Sequence, residues 1–388
     1  MTDILDIAPG FRLAVGAGAI PEVLGGDGVW RRARAGDGAA DALLRRLRET
    51  TACTHRGPFT LQSWTVPAAT GERPVTVDQT NESVIVGDAA VVKWATHLQA
   101  GPHPAARRIP VLREAGFTGM PTPLGMVTWR QPDGAETVVA TVDEYLRDAV
   151  DGWTWAVDLF TAAAGAHRPE QVAAPMTAVG ALVADLHTAL VGTAAVATAA
   201  DAGRWSDAAR RTLEKACTQS TFAESRRDQI ELLLRPLAEL AGAVVIEGHG
   251  DLHVGQVLRA GDRFVVTDFD GNPVLPAAER ALAAPAVLDV AGLAQSLAHV
   301  AIVAGRHHAP DPAALAAVEA TARRSYLTAY TDRLAARGHS DLFDPAALGA
   351  FRLQQVLREF VYAAEHLPRW SYVPDAALPA LLEELIER

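Results

Sequence analysis

The rhythm of hydrophobic and polar positions changes partway along this chain. From residue 74 to about 145, apolar residues come in short strand-like runs at 75–77, 83–86, 90–94 and 136–143, interrupted by a helical stretch at 105–115 that Pro110 would kink. Beyond residue 151 the text turns rich in Ala and Leu, and the period becomes helical over 176–190, 208–217, 223–241, 287–303, 312–337 and 346–366. Strand-like runs return there only between about 244 and 270. The Ala-rich stretch 191–202 reads as a loop or helix end. Residues 1–75 mix short apolar runs with Gly, Pro and Arg. They predict one helix, 39–49, whose Arg45, Arg46 and Arg48 suit a helix C-terminus. The pattern predicts an α+β chain of three parts: an N-terminal part over 1–75, a β-rich part over 76–145 and a mostly helical part over 146–388.

At 388 residues the chain suits two or three compact units, each able to bury a full core. With 49% hydrophobic and 21% charged residues it has the composition of a soluble globular protein. No stretch approaches about eighteen uninterrupted apolar residues, and the acidic start Met1-Thr-Asp-Ile-Leu-Asp6 lacks a basic signal-peptide region. The expectation is a cytoplasmic protein with no membrane partner. Cys53 and Cys217 stand far apart, without metal-ligand spacing or a disulfide framework. A net charge of −11 disfavours an extended nucleic-acid surface. A bound nucleotide would therefore depend on metal and a few local cations.

The basic residues are almost all arginine; the lysines are Lys93 and Lys215. Lys93 lies in Ala89-Ala-Val-Val-Lys-Trp94, after Ser83-Val-Ile-Val86 and the turn Gly87-Asp88, a hairpin with one cation on an otherwise apolar ribbon. It is either a solvent-facing edge-strand lysine or an ammonium placed to hold nucleotide phosphates. The downstream motif favours the second. His249-Gly-Asp-Leu-His-Val-Gly-Gln256 puts a carboxylate on a tight turn and an amide five residues later, and Phe264-Val-Val-Thr-Asp-Phe-Asp270 ends an apolar strand with two more carboxylates. Phosphoryl transfer needs an oriented hydroxyl and Mg2+ to neutralise the moving charge. Asp251 could accept the hydroxyl proton, while Gln256, Asp268 and Asp270 offer hard oxygens to Mg2+. Two other readings use the same residues. His249, Asp251 and His253 could line one face of a metallohydrolase ribbon, although no second His cluster stands at ligand spacing. A nucleotide-binding module without turnover is the other.

The order of Lys93, His249-Gly-Asp251, Gln256 and Asp268-Phe-Asp270 resembles the aminoglycoside phosphotransferase superfamily, which is protein-kinase-like. Within it, the segments 249–259 and 268–273, with Leu186-His187, Asp289-Val-Ala-Gly292 and Leu367-Pro-Arg-Trp370, resemble the actinobacterial glucosamine kinase and maltokinase-like family over roughly residues 75–375. The resemblance implies a bilobal kinase-like fold: an N-terminal cap domain over 1–75, a nucleotide-binding small lobe over 76–145 and a helical large lobe over 146–388. It also implies ATP and Mg2+ as cofactors. Asp251 would be the catalytic base, Gln256, Asp268 and Asp270 the metal residues, and Lys93, with Ser83, Asp143 and Tyr145, the nucleotide contacts. His249 would hold the catalytic turn. Asp289 would fix the catalytic loop by backbone hydrogen bonds, or be an ordinary helix N-cap. The segment 138–145 would be the hinge whose backbone reads adenine.

The chain departs from the kinase pattern twice. Arg107 and Arg108 stand where an acid is expected to pair with Lys93, leaving Glu114, or phosphate together with Asp268, as the partner. A glycine-rich phosphate loop is missing, and Asp78-Gln-Thr-Asn-Glu-Ser83 takes its place. Segment 354–372 offers the acceptor site: Glu359 and Tyr362, three apart on one helix face, and Trp370 beyond the helix end. An amino sugar presents an ammonium that needs a carboxylate when buried, whereas a neutral disaccharide needs aromatic platforms and hydrogen bonds. Maltokinases carry another Glu where Ala363 stands, so the likeness favours glucosamine, phosphorylated to glucosamine 6-phosphate. Maltose, giving maltose 1-phosphate, and an aminoglycoside-type acceptor are the alternatives. The expected partner is a small sugar, and the expected assembly a monomer or weak homodimer.

Overall fold

The computed structural model describes residues 2–75, 82–98, 101–308 and 310–387, and the chain divides into two compact units, 1–149 with 268–282, and 150–267 with 283–388. The expected strand beyond Val75 and the stretch 78–81 lie outside the described residues.

The first unit opens with an antiparallel meander, β1 (Asp3–Ala8), β2 (Phe11–Val15), β3 (Ala19–Leu24) and β4 (Trp30–Arg32). Alternate residues Leu5, Ile7, Leu13 and Val15 turn inward. Helix α1 (Ala39–Glu49) follows over the predicted residues and buries Ala40, Leu43, Leu44 and Leu47, one helical face. Seven strands then form one antiparallel sheet: β5 (Cys53–Arg56), β6 (Phe59–Ser63), β7 (Glu72–Pro74), β8 (Glu82–Val86), β9 (Ala90–Trp94), β10 (Pro123–Arg130) and β11 (Glu136–Glu144). Their order is β5-β6-β10-β11-β9-β8-β7. Strands β5 to β7 precede residue 75 yet belong to this sheet, so the change of sheet falls near residue 50 rather than 75. Their partners are distant in sequence, as with β6 and β10, which is why no local pattern marks the change. Strand β10 was not anticipated. Its residues from Pro123 to Trp129 are all buried, which removes the alternation that marks a one-sided strand. Both sheets and α1 share one core, with Leu13, Leu44, Phe59, Val92, Trp94 and Val139 among its members.

Helix α2 (Ala105–Glu114) forms where expected, between β9 and β10, with Pro110 inside it. The N-terminus of α1 has no side-chain cap from Gly38; instead the Glu72 carboxylate on β7 accepts the backbone N–H groups of Gly36, Gly38, Ala40 and Asp41 at 2.7–2.9 Å. Ala40 and Asp41 are among the orphan donors of the helix start, Gly36 and Gly38 belong to the approach to it, and a carboxylate also complements the helix dipole there.

The second unit is helical: α3 (Gly152–Gly165), α4 (Ala173–Ala189), α5 (Ala199–Gln219), α6 (Thr221–Ser225) and α7 (Arg227–Leu234). After the short α8 (Ala277–Arg280), which lies in the first unit's returning segment, come α9 (Val287–His308), α10 (Pro312–Arg337), α11 (Leu348–His366) and α12 (Tyr372–Ile386). Helix α10 spans the predicted 312–337. The continuous helix expected over 223–241 is broken: Ser220 caps α6, and Pro236 opens a 3-10 turn after α7. Within 191–202, two residues pair as β12 (Ala195–Val196) with β13 (Val244–Val245), and Thr198 with Asp201 forms a capping box for α5. The hairpin β14 (Val257–Ala260) and β15 (Arg263–Val266) completes the unit. Segments 169–189 and 287–308 are long and apolar enough to cross a bilayer by length and composition alone, but 72% of the apolar window in α9 is buried inside the fold.

Candidate functional site

The residues singled out fall into two groups, one in each unit. In the first, Ser83, Lys93 and Thr141 are direct register partners across β8, β9 and β11, so their side chains leave the sheet on one face. Asp143, two residues along β11 from Thr141, shares that face. Lys93 Nζ donates to Asp270 Oδ2 at 3.2 Å and lies 3.9 Å from Asp268 Oδ1. Its partners are therefore the two carboxylates of the returning segment, the nearer being Asp270, while Glu114 is exposed at the end of α2. Burial works to lower the Lys93 pKa, but Asp270, Asp268 and Asp143 together hold it above its ordinary value. The same field keeps Asp270 below the ordinary carboxylate range: burial opposes, and Lys93 and then His103 prevail. Asp143 is pushed up to about 6, chiefly by burial, against Thr141 and Lys93.

Asp268 has φ +66°, a left-handed conformation that Asp tolerates better than most residues. It turns the chain sharply where β15 ends. Tyr145 follows β11; its N–H donates to Ala89 O at 3.0 Å, and Arg73 stacks 4.8 Å from its ring. Of the segment 138–145 expected to act as a hinge, residues through Asp143 pair with β10 and residues 140–144 with β9, and Tyr145 lies beyond both ladders.

In the second unit the turn 248–256 is held from several directions. Asp289, on the first turn of α9, accepts His249 N–H at 2.6 Å and Gly250 N–H at 2.7 Å, as expected of an acid that fixes the loop. His187 Nε2 stands 3.3 Å from Asp289, and Tyr330 Oη 2.8 Å from His187 Nδ1. Burial works to raise the pKa of Asp289, but the His187 hydrogen bond, the His187 and His249 rings and the Gly250 N–H keep it below the ordinary value. His249 Nδ1 accepts the Asp251 N–H at 3.3 Å, so its Nε2 carries the hydrogen donated to Thr267 O at 2.9 Å. The ring ties the turn to the end of β15. Two glycines permit close backbone approach: a Cβ on Gly152 would come 1.7 Å from Val254 O, and one on Gly292 2.5 Å from Leu252 O. Helices α3 and α9 thus meet the turn through positions that tolerate no side chain. The Gln256 backbone carbonyl accepts Thr267 N–H at 2.9 Å, and its side-chain amide lies 3.4 Å from His253 Nε2.

Asp251, at the tip of the turn, accepts Arg358 Nη2–H at 3.1 Å. A small pocket beside it is lined by His253, Phe351, Gln354, Gln355 and Arg358. Glu359, next on α11, accepts Gln355 Nε2–H and Trp370 Nε1–H, each at 3.0 Å, so Glu359 and Trp370 meet. The Trp370 ring packs edge-on against Trp153 at 5.3 Å, and Trp153 lies 6.2 Å from His253. Tyr362 is exposed and packs on His366, one turn further along the helix. Sequence reasoning passed over Arg358, Gln355 and Trp153. The adjacency of Arg358 to Glu359 was a visible signal, but its partner Asp251 is 107 residues away.

Among the described residues no cluster of three or more His, Cys, Asp or Glu side chains is arranged to hold a metal. The paired carboxylates of Asp268 and Asp270 fit Mg2+ all the same, since this ion keeps several waters and takes only one or two carboxylates beside substrate phosphates.

No family model matches the chain. It is 60% identical to the glucosamine kinase of Mycolicibacterium smegmatis (strain ATCC 700084 / mc(2)155), covering 98% of both chains. To the glucosamine kinase of Streptacidiphilus jiangxiensis it is 44% identical, over 99% of this chain and 91% of that one. A glucosamine kinase structure in complex with glucosamine, ADP and inorganic phosphate matches with a TM-score of 0.87 at 40% identity, over 98% of this chain and 93% of that one. With near full-length identity at this level, the chain belongs to the glucosamine kinase family.

Proposed function

We propose that this protein transfers the γ-phosphoryl group of ATP to glucosamine, with the 6-hydroxyl as acceptor and Mg2+ as cofactor. The observation that carries the choice of sugar is Glu359: a partly buried carboxylate held by Gln355 and Trp370, on the helix whose Arg358 grips Asp251. A buried ammonium requires such a partner, and a neutral sugar does not. Asp251 takes the hydroxyl proton, and Arg358 keeps its carboxylate in one orientation. Trp370 and Trp153 offer apolar faces to the ring. Lys93 and Ser83, side by side on the sheet, contact phosphate oxygens, and Asp143 holds Lys93 from its own strand. Gln256, Asp268 and Asp270 are the residues that would hold Mg2+, which neutralises charge on the phosphates when bound. The reading draws support from the names of the relatives and from the ligands of the matching kinase structure.

The test is ADP release with ATP and Mg2+ against glucosamine, glucose, maltose, N-acetylglucosamine and an aminoglycoside, with Asp251→Asn in parallel. The expected result is turnover confined to glucosamine, with Asp251→Asn still binding nucleotide and turning over about 100- to 10,000-fold more slowly. Preferred turnover of maltose would overturn the choice of sugar, and undiminished activity of Asp251→Asn the choice of base.

A further inference from the structure

Helix α2 follows the lysine strand and carries Arg107 and Arg108 where an acid was expected, and the reaction assigned above uses neither. Arg108 is 2% exposed. Its guanidinium reaches the returning segment 268–282, where Nη1 donates to Phe269 O at 3.1 Å and Nη2 to Arg280 O at 2.8 Å. Phe269 stands between Asp268 and Asp270, so one of these bonds falls on the peptide that joins the two carboxylate residues. A Cβ on Gly271, at φ +71°, would lie 3.1 Å from Arg108 Nη1, so guanidinium and backbone are in close contact there. Past Gly271 the segment is knitted to itself: Arg280 Nε and Nη2 donate to Leu275 O and Pro273 O, and Asn272 Oδ1 accepts Val274 N–H. His103, just before α2, lies 3.9 Å from Asp270 Oδ1. One end of α2 therefore addresses the returning segment at the Asp270 carboxylate and at two backbone carbonyls.

We propose that Arg108 is a positioning residue for the metal-binding carboxylates, an inference that rests on the metal role proposed for Asp268 and Asp270. The expected arrangement is inverted. A kinase helix would offer an acid to the lysine; here Lys93 takes its counter-charges from Asp270 and Asp268, and the helix offers a cation to the backbone between them. The planar fork of arginine serves two carbonyls at fixed separation, and a lysine ammonium is a single point that cannot hold both in the same geometry. The Phe269 carbonyl belongs to the peptide that leads into Asp270, so a grip on it restricts the backbone that directs the Asp270 carboxylate, two residues beyond the left-handed Asp268. Loosening that grip leaves both carboxylates present but disordered, so the metal is bound more weakly while the sugar side, carried on other elements, is unaffected.

The test compares wild type, Arg108→Lys, Arg108→Gln, Asp270→Asn and the double variant Arg108→Lys/Asp270→Asn. Calorimetry measures ADP affinity as a function of Mg2+, and kinetics measure KM for the sugar. The expected result for Arg108→Lys is a tenfold or greater rise in the Mg2+ needed for half-maximal enhancement of ADP binding. Metal-free ADP affinity and sugar KM should stay as in wild type. In the Asp270→Asn background the effect of Arg108→Lys should shrink, because both changes act on one carboxylate. A wild-type Mg2+ dependence in Arg108→Lys, or full additivity with Asp270→Asn, would overturn the proposal. So would loss of folding in both position-108 variants, which would make Arg108 a structural strut. Asp268→Asn separates the two levels: an unchanged Mg2+ dependence there removes the metal role itself, whereas a changed one beside an unaffected Arg108→Lys removes only the role of Arg108.

Discussion

Glu359 Oε1 and Oε2 each accept one side-chain N–H, from Gln355 and Trp370, and both donors are neutral. The carboxylate is therefore oriented without being neutralised, which suits it to receive an ammonium. Glu359→Gln keeps the size and can keep one of the two bonds but removes the charge. A hydrogen bond to a charged group contributes about 1.5–3 kcal/mol, so kcat/KM for glucosamine should fall by roughly tenfold to a hundredfold while any residual rate on glucose is unchanged; steady-state kinetics on the two sugars read this. At this scale much of the candidate site was legible. Asp251, Asp268, Asp270 and Lys93 stood out because their spacing or rarity has a chemical reason. Arg358 did not, because an arginine in an amphipathic helix reads as a solvated face until its partner Asp251 is folded against it. The Lys93 partner was half legible: Asp268 was anticipated, but the closer ion pair is with Asp270.

Among elements, α1 and α9 show how local pattern and distant capping combine. The apolar period of α1 marks it in the sequence, yet its N-terminus depends on Glu72, more than thirty residues on from the N–H groups it accepts. Glu72→Ala orphans backbone donors at a helix start. It should cost about 1–3 kcal/mol in denaturant unfolding, whereas substitution of an exposed acid such as Glu49 should change stability by less than about 0.5 kcal/mol. A comparable loss from both would remove the capping account. Helix α9 was legible as a helix, and Asp289 as either a cap or a loop-fixing acid. The structure decides between them, since the carboxylate reaches His249 and Gly250 rather than its own helix. Strand β10 and helices α3 and α12 were not legible. Burial on both faces erases the alternation of β10.

In the whole molecule, the interior of the second unit holds a polar chain as well as an apolar core. Arg352 on α11 forms a bidentate pair with Glu384 on α12 at 2.8 and 3.0 Å and donates to Gln295 on α9 at 3.2 Å, and Gln295 Nε2 lies 3.3 Å from His299 Nε2. His299 is held down to about 4, chiefly by burial, with Glu359 opposing and His253 and Arg352 assisting. The folded state therefore keeps His299 neutral where the unfolded chain, titrating near 6.5, takes up a proton. Its contribution is complete above about pH 6.5 and is lost as pH falls toward about 4, a loss of roughly 3 kcal/mol. Denaturant unfolding of wild type and His299→Gln at pH 7.5, 5.5 and 4.5 should show the wild-type curve falling more steeply; parallel curves would contradict it.

The sequence by itself determined the class of chemistry, the order of a strand-rich part before a helical one, and the acids proposed to carry the reaction. These depend on periodicity and on short spacings, which are local. Only the tertiary structure decided which residues accompany those acids. The Arg358 grip on Asp251, the pairing of Glu359 with Trp370, the reach of Arg108 to Phe269 and the change of sheet near residue 50 all join positions far apart in the chain or set where it reverses. Such partners are chosen by packing and by the need to satisfy buried charge, not by spacing.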